Sequence, residues 1–230
     1  MHLFSSTCTV QVSAPRDNYH GIQLSHPAAT FMFLQFHFHW GGSSTRGSEH
    51  VVDDHRYSME MHLVHINTRY RSVEDASKHD DGLAVVAVLF QAGPEDNPNF
   101  WMIINAARKI QTVENYHLNI TGPVLLGRLL PRNAVDHFQY FGSLTTPPCS
   151  EAVTWVVLRQ PVAISEAQLN VFRQVQAGGN GYGTPHVLMN NYRPPMPLHG
   201  RYVLRNFQCP PCHHRSNKPI HKNSQSHHQI

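Results

Sequence analysis

The sequence has few charged side chains and no long apolar run. Lysine, arginine, aspartate and glutamate together make up 14% of its 230 residues, against roughly 25% in an average globular domain. This scarcity argues against a disordered polyelectrolyte, a coiled coil and a highly charged nucleic-acid-binding module. No stretch approaches the ~18 consecutive apolar residues of a membrane-spanning helix, so the sequence predicts no membrane span. Histidine, by contrast, is abundant, with 19 residues.

The net charge of +3 originates in the last part of the chain. Residues 208–230 contain three lysine or arginine side chains and no aspartate or glutamate, so residues 1–207 carry no net charge. A neutral body with a short basic tail lacks the electrostatic footprint of a protein that binds nucleic acid. We therefore expect a folded domain over residues 1–207 and a polar, disordered tail over residues 208–230 that contains histidine and lysine. Cys209 and Cys212 leave open a disulfide or loose metal binding in that tail.

Strand patterns dominate the first two-thirds of the chain. Residues 31–40 combine aromatic side chains with histidines at alternate positions, and residues 57–66 alternate again. Residues 83–90 form a continuous apolar run, which is typical of a strand buried on both faces. Residues 153–158 predict a further strand. Helices are fewer, and two are predicted: one over residues 99–110 and one that begins at Ser165, which has capping-box spacing with Gln168.

A pair of histidines marks the first segment with chemical meaning, Gln-Phe-His-Phe-His-Trp-Gly at residues 35–41. Side chains two residues apart share one face of a strand, so His37 and His39 point the same way. Phe36, Phe38 and Trp40 point to the opposite face and are predicted to enter the core. Two imidazoles on one strand face can hold a metal ion, although His-x-His also occurs by chance.

A third histidine lies in the segment Glu-Met-His-Leu-Val-His at residues 60–65. By the same period, Glu60, His62 and Val64 share one face, and His65 lies on the other. An imidazole from this neighbouring strand would complete three nitrogen ligands and leave the fourth tetrahedral position open for water, as a catalytic zinc site requires. The alternative interpretation is that His62 is a cross-strand packing residue.

Two hydroxyls precede two prolines in the segment Gly-Ser-Leu-Thr-Thr-Pro-Pro-Cys at residues 142–149. The prolines stiffen the backbone, and alone this pattern favours a plain turn. Together, however, the three segments closely resemble the α-class carbonic anhydrases, and the resemblance extends from residue 8 to residue 207. Further matching motifs are Gly-Ser-Glu-His at 47–50, Asp-Gly-Leu-Ala-Val at 81–85, Val-Thr-Trp at 153–155, and the segment 191–198, which begins with Asn-Tyr-Arg.

The resemblance implies a fold and an activity. The fold is mainly β (α+β), a single domain with a large central twisted mixed, mostly antiparallel sheet and short peripheral helices. The activity is the zinc-dependent, reversible hydration of carbon dioxide to bicarbonate and a proton. The implied zinc ligands are His37, His39 and His62, and the groups that orient them are Gln35 for His37, Glu60 for His62 and the backbone carbonyl of Asn191 for His39.

The resemblance also implies how the substrate is handled. Thr145 accepts the proton of zinc-bound hydroxide in a hydrogen bond and donates its own hydroxyl proton to Glu49. The backbone N–H of Thr145 and the side chain of Thr146 contact bicarbonate. Carbon dioxide is uncharged and needs a dry niche, for which the implied apolar wall consists of Val64, Val85, Leu144, Val153 and Trp155.

Two departures from the family pattern concern the N-terminal region. The family domain begins before the first matching residues, so we expect residues 1–207 to lack an N-terminal segment of that domain. Cys8 stands where the family has its proton-shuttling histidine, so we expect slow proton transfer.

Indications of the compartment point outside the cell. Cys149 matches a cysteine that secreted and membrane-bound family members bond to one near the N-terminus, and Asn119-Ile120-Thr121 is a glycosylation sequence. Residues 1–7 show no signal-peptide pattern. We therefore expect an extracellular glycoprotein, with a cytoplasmic protein as the alternative. The expected molecule is a monomer that acts on a small substrate.

Three other functions fit the sequence less well. A carbonic-anhydrase-related binding protein keeps the fold without catalysis, but such relatives have generally lost zinc histidines, and all three are present here. A cupin-type metal site also uses His-x-His with a later Glu and His, but it predicts other glycine motifs and no Ser-Leu-Thr-Thr-Pro-Pro segment. A metalloprotease is disfavoured because the sequence contains no His-Glu-x-x-His.

Overall fold

The structure is a computed structural model that describes residues 1–5, 8–13, 23–26, 29–111, 117–120, 122–177 and 186–208. The predicted tail from residue 209 onward and Thr121 of the glycosylation sequence lie outside the described residues. In the described ranges the strands are β1 (His2–Ser5), β2 (Val10–Ser13), β3 (Gln23–His26), β4 (Ala29–Trp40), β5 (Val51–Val52), β6 (His55–Arg56), β7 (Met59–Asn67), β8 (Leu83–Gly93), β9 (His117–Asn119), β10 (His137–Gly142), β11 (Val153–Leu158), β12 (Val162–Ser165), β13 (Gln176–Ala177), β14 (His186–Val187) and β15 (Leu204–Arg205).

The helices are short and lie between strands. They are α1 (Val73–Ala76), α2 (Trp101–Lys109), α3 (Leu126–Leu129) and α4 (Glu166–Arg173), with a 3-10 turn at Pro98–Phe100 that leads into α2. The predicted capping box is present at α4, where the side chain of Ser165 accepts from the Gln168 backbone and the Gln168 side chain accepts from the Ser165 backbone. In the described part of the chain, none of the helices has the length and apolar character that crossing a membrane requires.

One mixed sheet of eleven strands organises the described part of the chain. Its main path runs β15-β10-β11-β8-β7-β4-β2-β1-β9, while β12 pairs with β8 and β3 with β4. Strand β8 is parallel to β11 and to β12, and the remaining pairs of this sheet are antiparallel. The predicted fold class is confirmed: a single, mainly β domain with a large mixed sheet and short helices.

The strongly patterned segments are where the sequence predicts them. The predicted strands at 31–40, 57–66 and 83–90 correspond to β4, β7 and β8, which differ from the predictions by one to three residues at their ends, and β11 has the predicted bounds. The first eight residues of β8 are all buried, as its continuous apolar run predicts. The predicted helix at 99–110 is divided into the 3-10 turn and α2, because Asn97 caps the turn through a hydrogen bond to the Asn99 backbone and a proline follows it.

The two faces of the central strands have different surroundings. Phe36, Phe38 and Trp40 of β4 are fully buried, and the rings of Phe38 and Trp40 lie 5.0 Å and 5.5 Å from that of Phe172 in α4. The predicted core face is therefore confirmed. On the same face, farther along the sheet, a cavity of about 940 Å³ is lined mainly by apolar side chains, including those of Leu63 and Val156.

His65 contributes to the lining of that cavity and is completely buried. Its Nδ1 lies 3.0 Å from the carbonyl oxygen of Leu63, and its Nε2 has no hydrogen-bond partner among the described residues. Burial lowers the pKa of His65 to about 4, against the opposing effect of backbone hydrogen bonds. The imidazole is therefore neutral in the folded protein at neutral pH, with its proton on Nδ1.

The pKa of His65 predicts an acid-sensitive contribution to stability. In the unfolded chain His65 has a pKa of roughly 6.5, whereas in the folded state it becomes protonated only near pH 4. Between these two values the unfolded state binds more protons, so the free energy of unfolding decreases as the pH falls. Compared with His65→Leu, the wild type should lose about 3 kcal/mol more unfolding free energy between pH 6.5 and pH 4. Urea unfolding of both proteins across this range measures the difference, and parallel stability profiles would contradict the assignment.

Candidate metal centre and active site

Three imidazoles converge on the face of the sheet opposite the Phe38 core. Strands β4 and β7 pair in antiparallel register with His37 directly opposite His62, and His39 follows His37 on the same face. The ring centroids lie 5.1 Å apart for His37 and His39, 5.2 Å for His37 and His62, and 4.6 Å for His39 and His62. One ring nitrogen from each residue lies within 4.8 Å of the other two.

Each ring has a hydrogen-bond partner on its outer side. His37 Nδ1 lies 3.0 Å from Gln35 Oε1, His39 Nδ1 lies 2.7 Å from the carbonyl oxygen of Asn191, and His62 Nε2 lies 2.6 Å from Glu60 Oε1. All three partners are acceptors, so each outer nitrogen carries the proton. The inner nitrogens, Nε2 of His37 and His39 and Nδ1 of His62, therefore present lone pairs.

Burial keeps the first two of these rings neutral. Burial is the main cause that lowers the pKa of His37 well below its usual value, and the neighbouring His39 and His62 lower it further. Burial also lowers the pKa of His39, although Glu49 opposes the effect. Neutral imidazole is the form that binds a metal ion.

The spacing of the inner nitrogens fits zinc. His39 Nε2 and His62 Nδ1 are 3.2 Å apart, and two lone pairs at this distance repel each other unless a cation lies between them. Nitrogens bonded to one tetrahedral zinc ion at ~2.0–2.1 Å would be about 3.3–3.4 Å apart. Three neutral imidazoles also form a donor set that zinc accepts while keeping one position open.

Glu60 joins the site to a buried hydrogen-bond chain. Its Oε1 accepts from His62 and lies 2.6 Å from His50 Nδ1, and its Oε2 accepts from the backbone N–H groups of Glu49 and His50, both at 2.8 Å. Burial raises the pKa of Glu60, but the electrostatic attraction of His50 and His62 and the hydrogen bonds that their rings donate outweigh it and hold the pKa well below the usual range. This hydrogen-bond chain ends at Tyr140, whose hydroxyl lies 2.7 Å from His50 Nε2.

His50 and Tyr140 were not identified as site residues from the sequence. His50 is buried, and although burial lowers its pKa, Glu60 and Glu49 raise it above the usual value overall. The motif at residues 47–50 was the available signal for His50. The sequence contained no signal for Tyr140, because Tyr140 is 90 residues from its partner His50 along the chain.

Glu49 lies beside the imidazoles, with Oε1 hydrogen-bonded and Oε2 at 3.9 Å from His62 Nε2. Its Oε1 accepts from the backbone N–H of Arg193 at 2.6 Å and lies 3.5 Å from His39 Nδ1. Its Oε2 is buried without a hydrogen-bond partner among the described residues. A buried carboxylate oxygen without a partner is energetically costly, so a hydrogen-bond donor is expected to approach it.

The resemblance implies that the hydroxyl of Thr145 donates a hydrogen bond to Glu49. The two residues line the same cavity of about 240 Å³, together with His50, Ser143 and Arg193. In the described part of the chain no hydrogen bond joins their side chains. Thr145 is half-buried, and the neighbouring Thr146 is exposed.

The five residues of the predicted apolar wall lie together in one cluster, and one of them, Trp155, lies against the imidazole of His62. The sheet register aligns Val64 with Val85 and Val85 with Trp155, and the ring of Trp155 lies 4.7 Å from that of His62. One apolar cluster contains the buried side chains of Val64, Val85, Val153 and Trp155, with Leu144 packed against it.

The family model and the relatives that match this chain all belong to one family. A family model for eukaryotic-type carbonic anhydrases matches residues 1–207. The chain is 40% identical over 179 residues to carbonic anhydrase 15 of Mus musculus, and the aligned region covers 77% of this chain and 55% of the relative. It is 37% identical over 187 residues to carbonic anhydrase 3 of Bos taurus, covering 79% of this chain and 68% of the relative. It is 41% identical over 182 residues to carbonic anhydrase 1 of Mus musculus, covering 78% and 67%. The chain thus spans between about half and two-thirds of the length of these relatives.

The geometry predicts one zinc ion per chain. Removing a ligand in His62→Ala should abolish stoichiometric binding, and Gln35→Leu, which removes only the partner of His37, should weaken binding by about 10–100-fold. Zinc content after dialysis and competition with a chromophoric chelator measure both effects.

His65→Leu is the matched control for this experiment. His65 is also a buried histidine of β7 but lies on the opposite face, so its substitution should leave the zinc stoichiometry unchanged. Full zinc retention in His62→Ala would refute the proposed ligand set.

Proposed function

The chain belongs to the eukaryotic-type carbonic anhydrase family, and we propose that it catalyses the reversible hydration of carbon dioxide to bicarbonate and a proton, with zinc held by His37, His39 and His62. The observation that carries this proposal is the convergence of three ring nitrogens, one from each histidine, to within 4.8 Å of one another. Each ring is oriented by an outer acceptor, as the distances to Gln35, Glu60 and Asn191 indicate.

Water supplies the reactive oxygen in this proposal, and zinc held by His37, His39 and His62 would acidify it. When bound by three neutral imidazoles, zinc lowers the pKa of a water molecule to about 7, the value for which carbonic anhydrase itself is the reference example. The outer partners hold the imidazoles in their ligating tautomers. Of the three, only Glu60 carries a negative charge.

Thr145 and Glu49 orient the nucleophile. A threonine hydroxyl whose proton is given to a carboxylate must accept, and not donate, in its contact with the nucleophile. Glu49 Oε2 supports this role, because it is buried, has no hydrogen-bond partner among the residues that the structure describes, and belongs to a residue that lines the same pocket as Thr145. The lone pair of the nucleophile is then directed at the substrate carbon.

The apolar wall holds carbon dioxide before reaction. Carbon dioxide has no charge, so the buried side chains of Val64, Val85, Val153 and Trp155, with Leu144 beside them, offer it a site from which water is excluded. Bicarbonate carries a charge and leaves this surface, and the backbone N–H of Thr145 and the side chain of Thr146 provide polar contacts for it. The proposed substrates are thus small molecules.

The role of Thr145 predicts a specific pattern of loss. Thr145→Val keeps the shape but removes the hydroxyl, so carbon dioxide hydration should fall on the order of 100-fold while bound zinc stays at one per chain. Thr145→Ser keeps a hydroxyl and should lose far less. Stopped-flow hydration assays normalised to zinc content measure this pattern.

Two outcomes of that assay would contradict parts of the proposal. Equal activity of Thr145→Val and wild type would remove the orienting role of Thr145. A zinc-loaded wild type that does not hydrate carbon dioxide would favour the alternative function, a binding protein that keeps the fold without catalysis.

Proton export is the second functional element of the proposal. Each hydration releases a proton, and imidazole, with a pKa of roughly 6.5, carries it at neutral pH better than a thiol with a pKa of roughly 8.5. Cys8 is exposed, and its carbonyl accepts from the Asn191 side chain at 2.9 Å, so it lies beside the segment that holds His39. We therefore assign the shuttle position to Cys8 and expect slow proton transfer.

The Cys8 assignment predicts a buffer-dependent turnover. Turnover of the wild type should rise as an imidazole-type buffer is added, and Cys8→His should raise turnover at low buffer concentration by at least about tenfold. Buffer-independent turnover that Cys8→His leaves unaltered would remove Cys8 from the functional account.

The extracellular location is also a proposal. It is supported by Asn119, which is exposed at the end of β9, and by the match of Cys149 to the cysteine that secreted family members use in a disulfide. Cys149 is half-buried and forms no disulfide within the described residues. A glycan on Asn119 or a disulfide at Cys149 in protein from a secretory host would support it. A monomeric state and a domain boundary near residue 207 stay predictions.

A further inference from the structure

Arg193 connects two parts of the site that are far apart in the sequence. It lies between β14 and β15, and its backbone N–H donates to Glu49 Oε1 at 2.6 Å. Its guanidinium Nη1 donates to Ser143 Oγ at 3.2 Å, and Ser143 precedes Thr145 by two residues. One residue therefore contacts both the carboxylate and the loop that carries the hydroxyl.

The loop that carries Thr145 is otherwise held by contacts from nearby in the chain. The Leu144 N–H donates to the carbonyl of Ser150 and the Cys149 N–H to that of Thr146, both at 2.9 Å. The Trp155 indole N–H donates to the Ser143 carbonyl at 3.1 Å. These bonds fix the shape of the loop and tie it to β11, whereas the Arg193 bond ties it to the segment that holds Glu49.

The backbone contact of Arg193 also decides which carboxylate oxygen is available. Because the Arg193 N–H donates to Oε1, the oxygen of Glu49 that has no hydrogen-bond partner in the described part of the chain is Oε2. A hydroxyl on the Ser143 loop can approach Oε2 only if the loop and the carboxylate keep their relative position. The guanidinium bond to Ser143 fixes that position from the same residue that fixes Oε1.

We propose that Arg193 is a positioning residue that holds the Thr145 hydroxyl opposite Glu49 Oε2. This inference rests on the proposed function, since it concerns the same hydroxyl and carboxylate. Arg193 touches neither zinc nor substrate in this role. It acts through Ser143 on one side and Glu49 on the other.

The guanidinium bond can be tested from both of its ends. Arg193→Met and Ser143→Ala each remove it, and each should lower kcat for carbon dioxide hydration by about tenfold, the scale of one hydrogen bond to a charged group. KM and zinc content should stay unchanged. The double variant should be no slower than the slower single variant, because both changes remove the same bond. Arg193→Lys keeps a charged donor and should recover part of the loss.

Arg159→Met is the matched control. Arg159 is a partly exposed arginine paired with Asp136, away from the described pocket, and its substitution should leave kcat unchanged. Ser143→Ala also provides an independent test if Arg193→Met does not fold.

Three results would overturn the positioning role. Unchanged kcat per bound zinc in both single variants, losses that add in the double variant, or losses that match zinc loss and a lower melting temperature would each do so. A zinc-loaded wild type without hydration activity overturns the proposed function and this inference together. An active wild type whose variants are unaffected overturns this inference alone.

Discussion

The register between β4 and β7 is the constraint on which the rest of the structure depends. It opposes His37 to His62, and the two-residue period then places Gln35 and His39 on the same face as His37. A shift of one residue would exchange this face with the one that carries Phe36 and Phe38. The register is held by the core, because those aromatic side chains are fully buried. Apolar packing on one face thus fixes the imidazoles on the other.

Sequence reasoning succeeded where the pattern is local. The strands β4, β7, β8 and β11 and the start of α4 follow from periodicity and capping within a few residues, and Gln35 and Glu60 each lie two residues before the histidine they contact. The ends of these strands were less well predicted, because burial changes gradually along a strand. The 3-10 turn before α2 was missed because its formation depends on the Asn97 cap and on Pro98.

Contacts between distant residues could not be derived from periodicity. The carbonyl of Asn191 reaches His39 across 152 residues, and this partner was available only through the family resemblance. The Arg193 contact with Glu49 spans 144 residues and was not anticipated. The contact of Tyr140 with His50 was missed for the same reason. A single sequence encodes which residues share a strand face, but not which loops meet above it.

The charges around the imidazoles are unevenly distributed, and the distribution suits the proposed chemistry. Glu60 is the one charged outer partner, and four hydrogen bonds, from two backbone groups and two rings, offset the cost of burying it. His37 and His39 have neutral outer partners. Three neutral ligands leave the full charge of a zinc ion available to acidify water, which thiolate ligands would reduce.

The imidazoles and the hydroxyl are positioned by different means. All nine residues of β7 are buried, so His62 lies on a strand packed on both faces and inherits the rigidity of the core. Thr145 lies on a loop, and its neighbours are held by a few hydrogen bonds, which Trp155 and Arg193 donate and the carbonyl of Ser150 accepts. A small displacement of a reacting group can reduce a rate far more than it reduces stability. The loop contacts should therefore matter for the rate of the reaction, and the core contacts for whether the metal site forms at all.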